Sequence, residues 1–237
     1  MKEKFLGVDV SNYTYAQLKE NIMSDINERR KSFIVAINPE KILHAQKDAD
    51  LLHLLNRATY QIPDGVGILV ASKMTGGSIR ERVTGIDMLL ALCEQASLHA
   101  KSIFLYGAKP GVAEQAKDRL KSMYPDLQIA GVLDGYEKDK EKVKETINHA
   151  QPDILFVALG SPRQEYWIVD HMHELDVQVF QGVGGSFDVL SGKVKRAPDS
   201  FQKVGLEWLY RLIKEPWRIK RQIKLPTFLL KVWKDKK

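Results

Sequence analysis

The chain has 237 residues, of which 44% are hydrophobic and 28% charged, a balance that excludes a disordered or fibrous protein. Its net charge of +6 is unevenly spread: residues 1–195 hold 24 Lys and Arg against 26 Asp and Glu (−2), whereas residues 196–237 hold 12 against 4 (+8). The single cysteine, Cys93, rules out an internal disulfide and fits a reducing compartment.

The opening MKEKFLGVDV has no apolar stretch of signal-peptide length. No window reaches the roughly 18 apolar residues of a membrane span. The expected location is the cytosol or the cytosolic face of a membrane. Strand-like runs follow in order: FLGVDV (5–10), SFIVAI (32–37), SIFLYG (102–107), LQIAGV (127–132), ILFVALG (154–160) and VQVFQGVG (177–184). Segments with apolar spacing near 3.6 separate them, such as Ile86 to His99, Gly111 to Tyr124 and Lys138 to Ala150. This alternation predicts an α/β fold, a mainly parallel sheet covered by helices on both faces. The pattern is complete by Gly192, so residues 1–195 form the expected body and are expected to fold without the tail.

Ligands of open α/β sheets bind beyond the carboxyl ends of the strands, so the loops there carry the candidates. Asn38 precedes Pro39 at a helix start and serves as an N-cap, as a sugar ligand, or as both. Asp64, in Ile62-Pro63-Asp64-Gly65-Val66-Gly67, is either a turn residue or a general base in an open loop. Arg82 precedes Thr84, an expected N-cap, and would pair with a diphosphate or with a surface carboxylate. Gly107-Ala108-Lys109-Pro110-Gly111 leads into a helix whose N-terminus suits phosphate, although a plain tight turn explains it equally. In Gly160-Ser161-Pro162-Arg163-Gln164-Glu165, Gln164 is a ligand contact, or else it or Ser161 caps a helix.

Metal chemistry has little support. His171 and His173 stand two apart, which on a helix points them in different directions. Asp48-Ala49-Asp50 has the D-x-D spacing of metal-dependent sugar transferases but falls inside a helical run, where a solvated face is expected. No metal and no cofactor is expected. There is no G-x-S-x-G, and no cysteine with a histidine near it in sequence to activate it.

The tail places Phe201, Val204, Trp208, Leu209, Leu212 and Ile213 on one helical face, and Arg211, Lys214, Arg218 and Arg221 along a stripe that Pro216 interrupts. Three of the four tryptophans lie in it. A basic, aromatic amphipathic segment suits an anionic membrane surface. Nucleic acid and simple packing on the body are the alternatives.

Taken together, NPEK (38–41), PDGVG (63–67), ERVTGIDML (81–89), YGAKPGVAEQA (106–116), PDILFVALGSPRQEYWI (152–168), GVGGSFDVLSGKVKRAP (182–198) and GLEWLYRLIKEPWR (205–218) resemble the WecG/TagA/CpsF family of bacterial glycosyltransferases over nearly the whole chain. The resemblance implies a Rossmann-like body with a C-terminal appendage, residues 196–237, that completes the site at the membrane. It implies an inverting, metal-independent transfer of N-acetylmannosamine from UDP-N-acetylmannosamine, as in assembly of the wall teichoic acid linkage unit. The acceptor would be N-acetylglucosaminyl-diphospho-undecaprenol and the linkage β-1,4. On the matching positions, Asp64 is the catalytic base. Asn38, Arg82, Gly107, Tyr136, Gly160, Gln164, Gly185, Phe187, Asp188, Arg211, Arg218 and Arg221 are the substrate contacts. One departure is Ala36, where some members carry Thr; a hydroxyl contact there is lost. The implied partners are the UDP-sugar, the lipid acceptor and the inner face of the cell membrane, not nucleic acid. A homo-oligomer in solution stays open. Other UDP-sugars of the family (N-acetylmannosaminuronic acid or glucose) and a non-catalytic membrane-tethered nucleotide-binding module are the alternatives.

Overall fold

The computed structural model describes residues 2–198, 201, 210 and 224–235. Arg211, Arg218, Arg221 and most of the apolar face expected over 201–213 lie outside the described residues.

The chain opens with an antiparallel hairpin, β1 (Lys2–Phe5) and β2 (Val8–Ser11). The single strand expected over 5–10 is therefore two. Leu6 (φ 49°) and Gly7 (φ 86°) both turn left-handed between them, the geometry of a two-residue hairpin. Leucine in place of the usual Asn or Asp hid that turn in the sequence.

The main sheet has six parallel strands in the order β4-β3-β8-β7-β5-β6. They are β3 (Ser32–Ile37), β4 (Tyr60–Pro63), β5 (Ser102–Gly107), β6 (Gln128–Leu133), β7 (Ile154–Ala158) and β8 (Val179–Gly182). The strand reading missed β4. It is four residues long, ends in proline and buries Gln61 fully, so it lacks an apolar run. Gln61 is accommodated because its amide donates to the carbonyls of Leu55 and Ala58 and accepts from Ser11, which meets the requirement that buried polar groups be paired.

The apolar runs of the central strands serve two cores, because successive side chains point to opposite faces. Phe33, Val35, Ile37, Phe104, Tyr106, Leu155 and Val157 face one cluster. Ile34, Ile103, Leu105, Ile154 and Phe156 face the other. Helices α1 (Tyr15–Asn27), α5 (Gly85–Leu98), α6 (Val112–Met123) and α9 (Ser186–Leu190) cover the second face. Cys93 lies in that core, fully buried, and burial pushes its thiol well up.

The opposite face is covered by α2 (Pro39–Ala45), α3 (Ala49–Arg57), α4 (Val66–Thr75), α7 (Lys140–Ala150) and α8 (Arg163–His171). To these the chain adds α10 (Lys224–Asp235), packed on α2 and α4. Phe228 (0% exposed) and Val232 (3%) of α10 belong to the same apolar cluster as Ile42 and Ile68. Lys224 Nζ pairs with Glu40 at 3.0 Å. The strand–helix pattern ending near Gly192 therefore does not close this face alone; the last helix supplies part of its core. The basic side of α10 (Lys231, Lys234) stays outside.

Candidate active site

Parallel strands bring all their carboxyl ends to one edge, and nearly every described candidate sits there. The end of β3 carries Asn38 and that of β4 carries Asp64. Gly107 closes β5, Tyr136 follows β6, Gly160 and Gln164 follow β7, and Gly185 to Asp188 follow β8. Ile37 and Pro63 are register partners, and the Asp64 N–H donates to the Ile37 carbonyl at 2.8 Å. Asn38 and Asp64, 26 positions apart in the chain, are thus placed side by side. The Val83 N–H donates to the Pro63 carbonyl at 3.0 Å, which holds the Arg82 segment against the same strand end.

Local sequence explains each placement. Asn38 Oδ1 accepts from the Lys41 N–H at 2.9 Å, so the expected N-cap forms, with Pro39 at the first helical position. Thr84 caps α5 by accepting from the Asp87 N–H at 3.1 Å, and its hydroxyl donates to Asp87 Oδ2 at 2.6 Å. Asp64 is half-buried, just before Gly65 (φ 100°). A side chain at Gly67 would stand 2.5 Å from both Pro39 and Leu225, so α2, α4 and α10 converge tightly behind the Asp64 loop.

Several expectations are corrected. Neither Ser161 nor Gln164 caps α8; Pro162 holds the cap position without a side-chain hydrogen bond. Gln164 is buried, accepting from the Gly184 N–H at 2.9 Å and donating to Glu165 Oε1 at 3.1 Å. Asp48 is not inside a continuous helix. The chain breaks between α2 and α3, and Asp48 caps the latter by accepting from the Leu51 N–H at 2.9 Å. Asp48 also accepts from the Tyr166 hydroxyl, on the flank of the sheet rather than at its carboxyl edge. Phe187 is fully buried in the core beneath α9, whereas Tyr136 is 61% exposed. Among the described residues, no three His, Cys, Asp or Glu gather closely enough to hold a metal ion.

Three residues near this edge escaped the sequence reading. The Tyr15 hydroxyl accepts from the Thr84 N–H at 2.9 Å. Its ionisation is pushed up to about 12, chiefly by burial, then by the charge of Asp87, with a smaller contribution from Asp64. Arg196 pairs with Asp87. Lys41 meets Glu165 below the strand ends, Nζ to Oε1 2.7 Å. Nothing in the local sequence links these partners, which are separated by 69, 109 and 124 positions. A groove of about 670 Å³ lined by Arg119, Ser191, Lys195, Arg196 and Tyr210 lies beside α6 and α9, and adjoins this region through Arg196 and through Ser191, whose hydroxyl donates to the Asp188 carbonyl.

An open parallel sheet with a half-buried carboxylate, a capping asparagine and an arginine segment gathered at one carboxyl edge is the arrangement in which α/β proteins bind their ligands. The sequence model of the WecG/TagA/CpsF glycosyl transferase family matches residues 3–237, and the chain belongs to that family. It is 41% identical over 212 residues to the N-acetylglucosaminyldiphosphoundecaprenol N-acetyl-beta-D-mannosaminyltransferase of Bacillus subtilis, covering 90% of this chain and 83% of that one. The protein of the same name from Bacillus spizizenii is 38% identical, covering 90% and 82%. That of Staphylococcus aureus is 35% identical over 238 residues, covering 100% and 94%.

Proposed function

We propose that this glycosyltransferase moves N-acetylmannosamine from UDP-N-acetylmannosamine to N-acetylglucosaminyl-diphospho-undecaprenol, releasing UDP. The names of three relatives support the sugar and the acceptor. The observation that carries the site assignment is the convergence of Asp64, Asn38 and the Arg82 segment on adjoining strand ends.

In this reading the Asp64 carboxylate takes the proton from the acceptor hydroxyl as its oxygen attacks the anomeric carbon. The bond from that carbon to the β-phosphate oxygen breaks, and the electron pair leaves with UDP. Asp64 is the single carboxylate assigned to the reacting centre and no protein nucleophile is proposed, so one displacement inverts the configuration and gives a β-1,4 product. Negative charge building on the diphosphate is met by Arg82 and by Arg211, Arg218 and Arg221 rather than by a metal ion. The tail holds the enzyme on the anionic inner face of the membrane, where its lipid acceptor resides. No helix among the described residues is long and apolar enough to cross a membrane.

The test is UDP release in excess EDTA from UDP-N-acetylmannosamine, UDP-N-acetylmannosaminuronic acid and UDP-glucose, each with and without the lipid acceptor. Acceptor-dependent release from UDP-N-acetylmannosamine alone is expected. Preference for another donor reassigns the sugar. Activity lost in chelator and restored by Mn²⁺ or Mg²⁺ overturns the metal-free mechanism.

A further inference from the structure

Lys41 and Glu165 form an ion pair below the carboxyl edge, with side chains 8% and 0% exposed. Removing two charges from water costs several kcal/mol per ion, and apolar residues of similar size often serve stability as well or better. Stability alone therefore does not account for the pair, and its other contacts suggest a positional role. Glu165 Oε1, 2.7 Å from Lys41 Nζ, also accepts from Gln164 Nε2 at 3.1 Å. Gln164 Oε1 in turn accepts from the Gly184 N–H at 2.9 Å. A carboxylate on one side and an N–H on the other leave the amide one orientation. It lies flat on the sheet, since a Cβ at Gly182 would stand 2.7 Å from Gln164 Nε2. At the far end, the Lys41 main chain is fixed by the Asn38 cap. The contacts Asn38, Lys41, Glu165, Gln164, Gly184 thus join the ends of β3, β7 and β8. Glu165 Oε2 is buried without a hydrogen-bond partner, so the carboxylate is held through Oε1.

We propose that Lys41 and Glu165 are positioning residues for donor binding. Their pair orients the Gln164 amide, and through it fixes the Gly184–Gly185 loop against which the UDP moiety is bound. This rests on the reading that the carboxyl edge takes a UDP-sugar. The pair itself is buried and does not touch substrate. It acts on the β7 and β8 side of the edge, whereas Asp64 is fixed by its own N–H bond to the Ile37 carbonyl. Loss of the pair should therefore weaken nucleotide binding more than turnover at saturating donor.

The experiment titrates UDP calorimetrically into the full chain and into K41M/E165M, which exchanges both charges for apolar groups of similar length and removes the acceptor of the Gln164 amide. The double variant is expected to keep its thermal midpoint within a few degrees. Losing one or two net hydrogen bonds' worth of preorganisation should raise the UDP Kd about tenfold. The donor KM should rise in step, while kcat stays within about threefold. Should that variant not fold, E165D keeps the charge opposite Lys41 but draws the carboxylate back from Gln164, and carries the same expectation. A folded variant binding UDP within twofold of the parent overturns the proposal, and so does a fall in kcat at unchanged affinity. A parent chain that does not bind UDP removes instead the donor reading on which the proposal rests, so the two failures are distinguishable.

Discussion

Replacing Gly107 by alanine separates two reasons for a glycine at a strand end. Gly107 has φ of 119°, and a Cβ there would stand 2.6 Å from the carbonyl carbon and oxygen of Ala158 and 2.9 Å from its nitrogen. These are backbone atoms of the neighbouring strand, tied to this loop by the Ala108 N–H bond to the Ala158 carbonyl, and they cannot rotate away. Gly111 and Gly160 share the positive φ (both 78°), but a Cβ at either meets nothing within 4 Å. Backbone strain in such regions costs about 1–3 kcal/mol, and forcing an extra methyl into a packed position adds about 1–3 kcal/mol. Gly107→Ala should therefore cost about 2–6 kcal/mol, and Gly111→Ala and Gly160→Ala about 1–3 kcal/mol. Urea unfolding at an unchanged m-value measures all three. Equal losses at the three positions would refute the claim that the ends of β5 and β7 approach too closely for any side chain.

Asp64→Asn should lower kcat roughly 10²–10⁴-fold while UDP affinity is nearly unchanged; a variant retaining more than half the parent turnover at neutral pH would remove Asp64 as the base. Phe228→Ala should cost about 3–5 kcal/mol in urea unfolding, because the ring is fully buried against the body; a cost below about 1 kcal/mol would mean that α10 is not part of the core. Tyr15 is neutral in the folded chain until about pH 12, whereas the unfolded side chain ionises near 10. Its raised value therefore lowers stability as pH climbs from 10 to 12, an alkaline loss that Tyr15→Phe should reduce; an unchanged alkaline slope would contradict the burial of that hydroxyl.

Much of this architecture is legible in the chain. The ranges 32–37 and 102–107 coincide with β3 and β5, because a strand buried on both faces must be a nearly continuous apolar run. The caps at Asn38 and Thr84 are equally readable, since a short polar side chain before a periodic segment has one main use there. β4 is hidden because its four buried residues interleave Tyr60 and Ile62 with Gln61 and Pro63, whose polar and ring atoms are accommodated only by the tertiary structure. The D-x-D segment misled because Asp48 interrupts a periodic run by capping its second half. The partners of Tyr15, Asp87 and Lys41 come together only through parallel register, and pairwise charge at such separations leaves no local trace. An amphipathic tail is legible in the sequence, whereas the docking of Phe228 on α2 and α4 depends on an apolar surface that only the folded body creates.

The most direct measurement of the central claim is the NMR spectrum of the disaccharide released from the lipid product, made by the full chain from α-configured UDP-N-acetylmannosamine in EDTA. A single displacement led by Asp64 predicts N-acetylmannosamine joined β-1,4 to N-acetylglucosamine. An α linkage, or no disaccharide despite UDP release, would contradict the account.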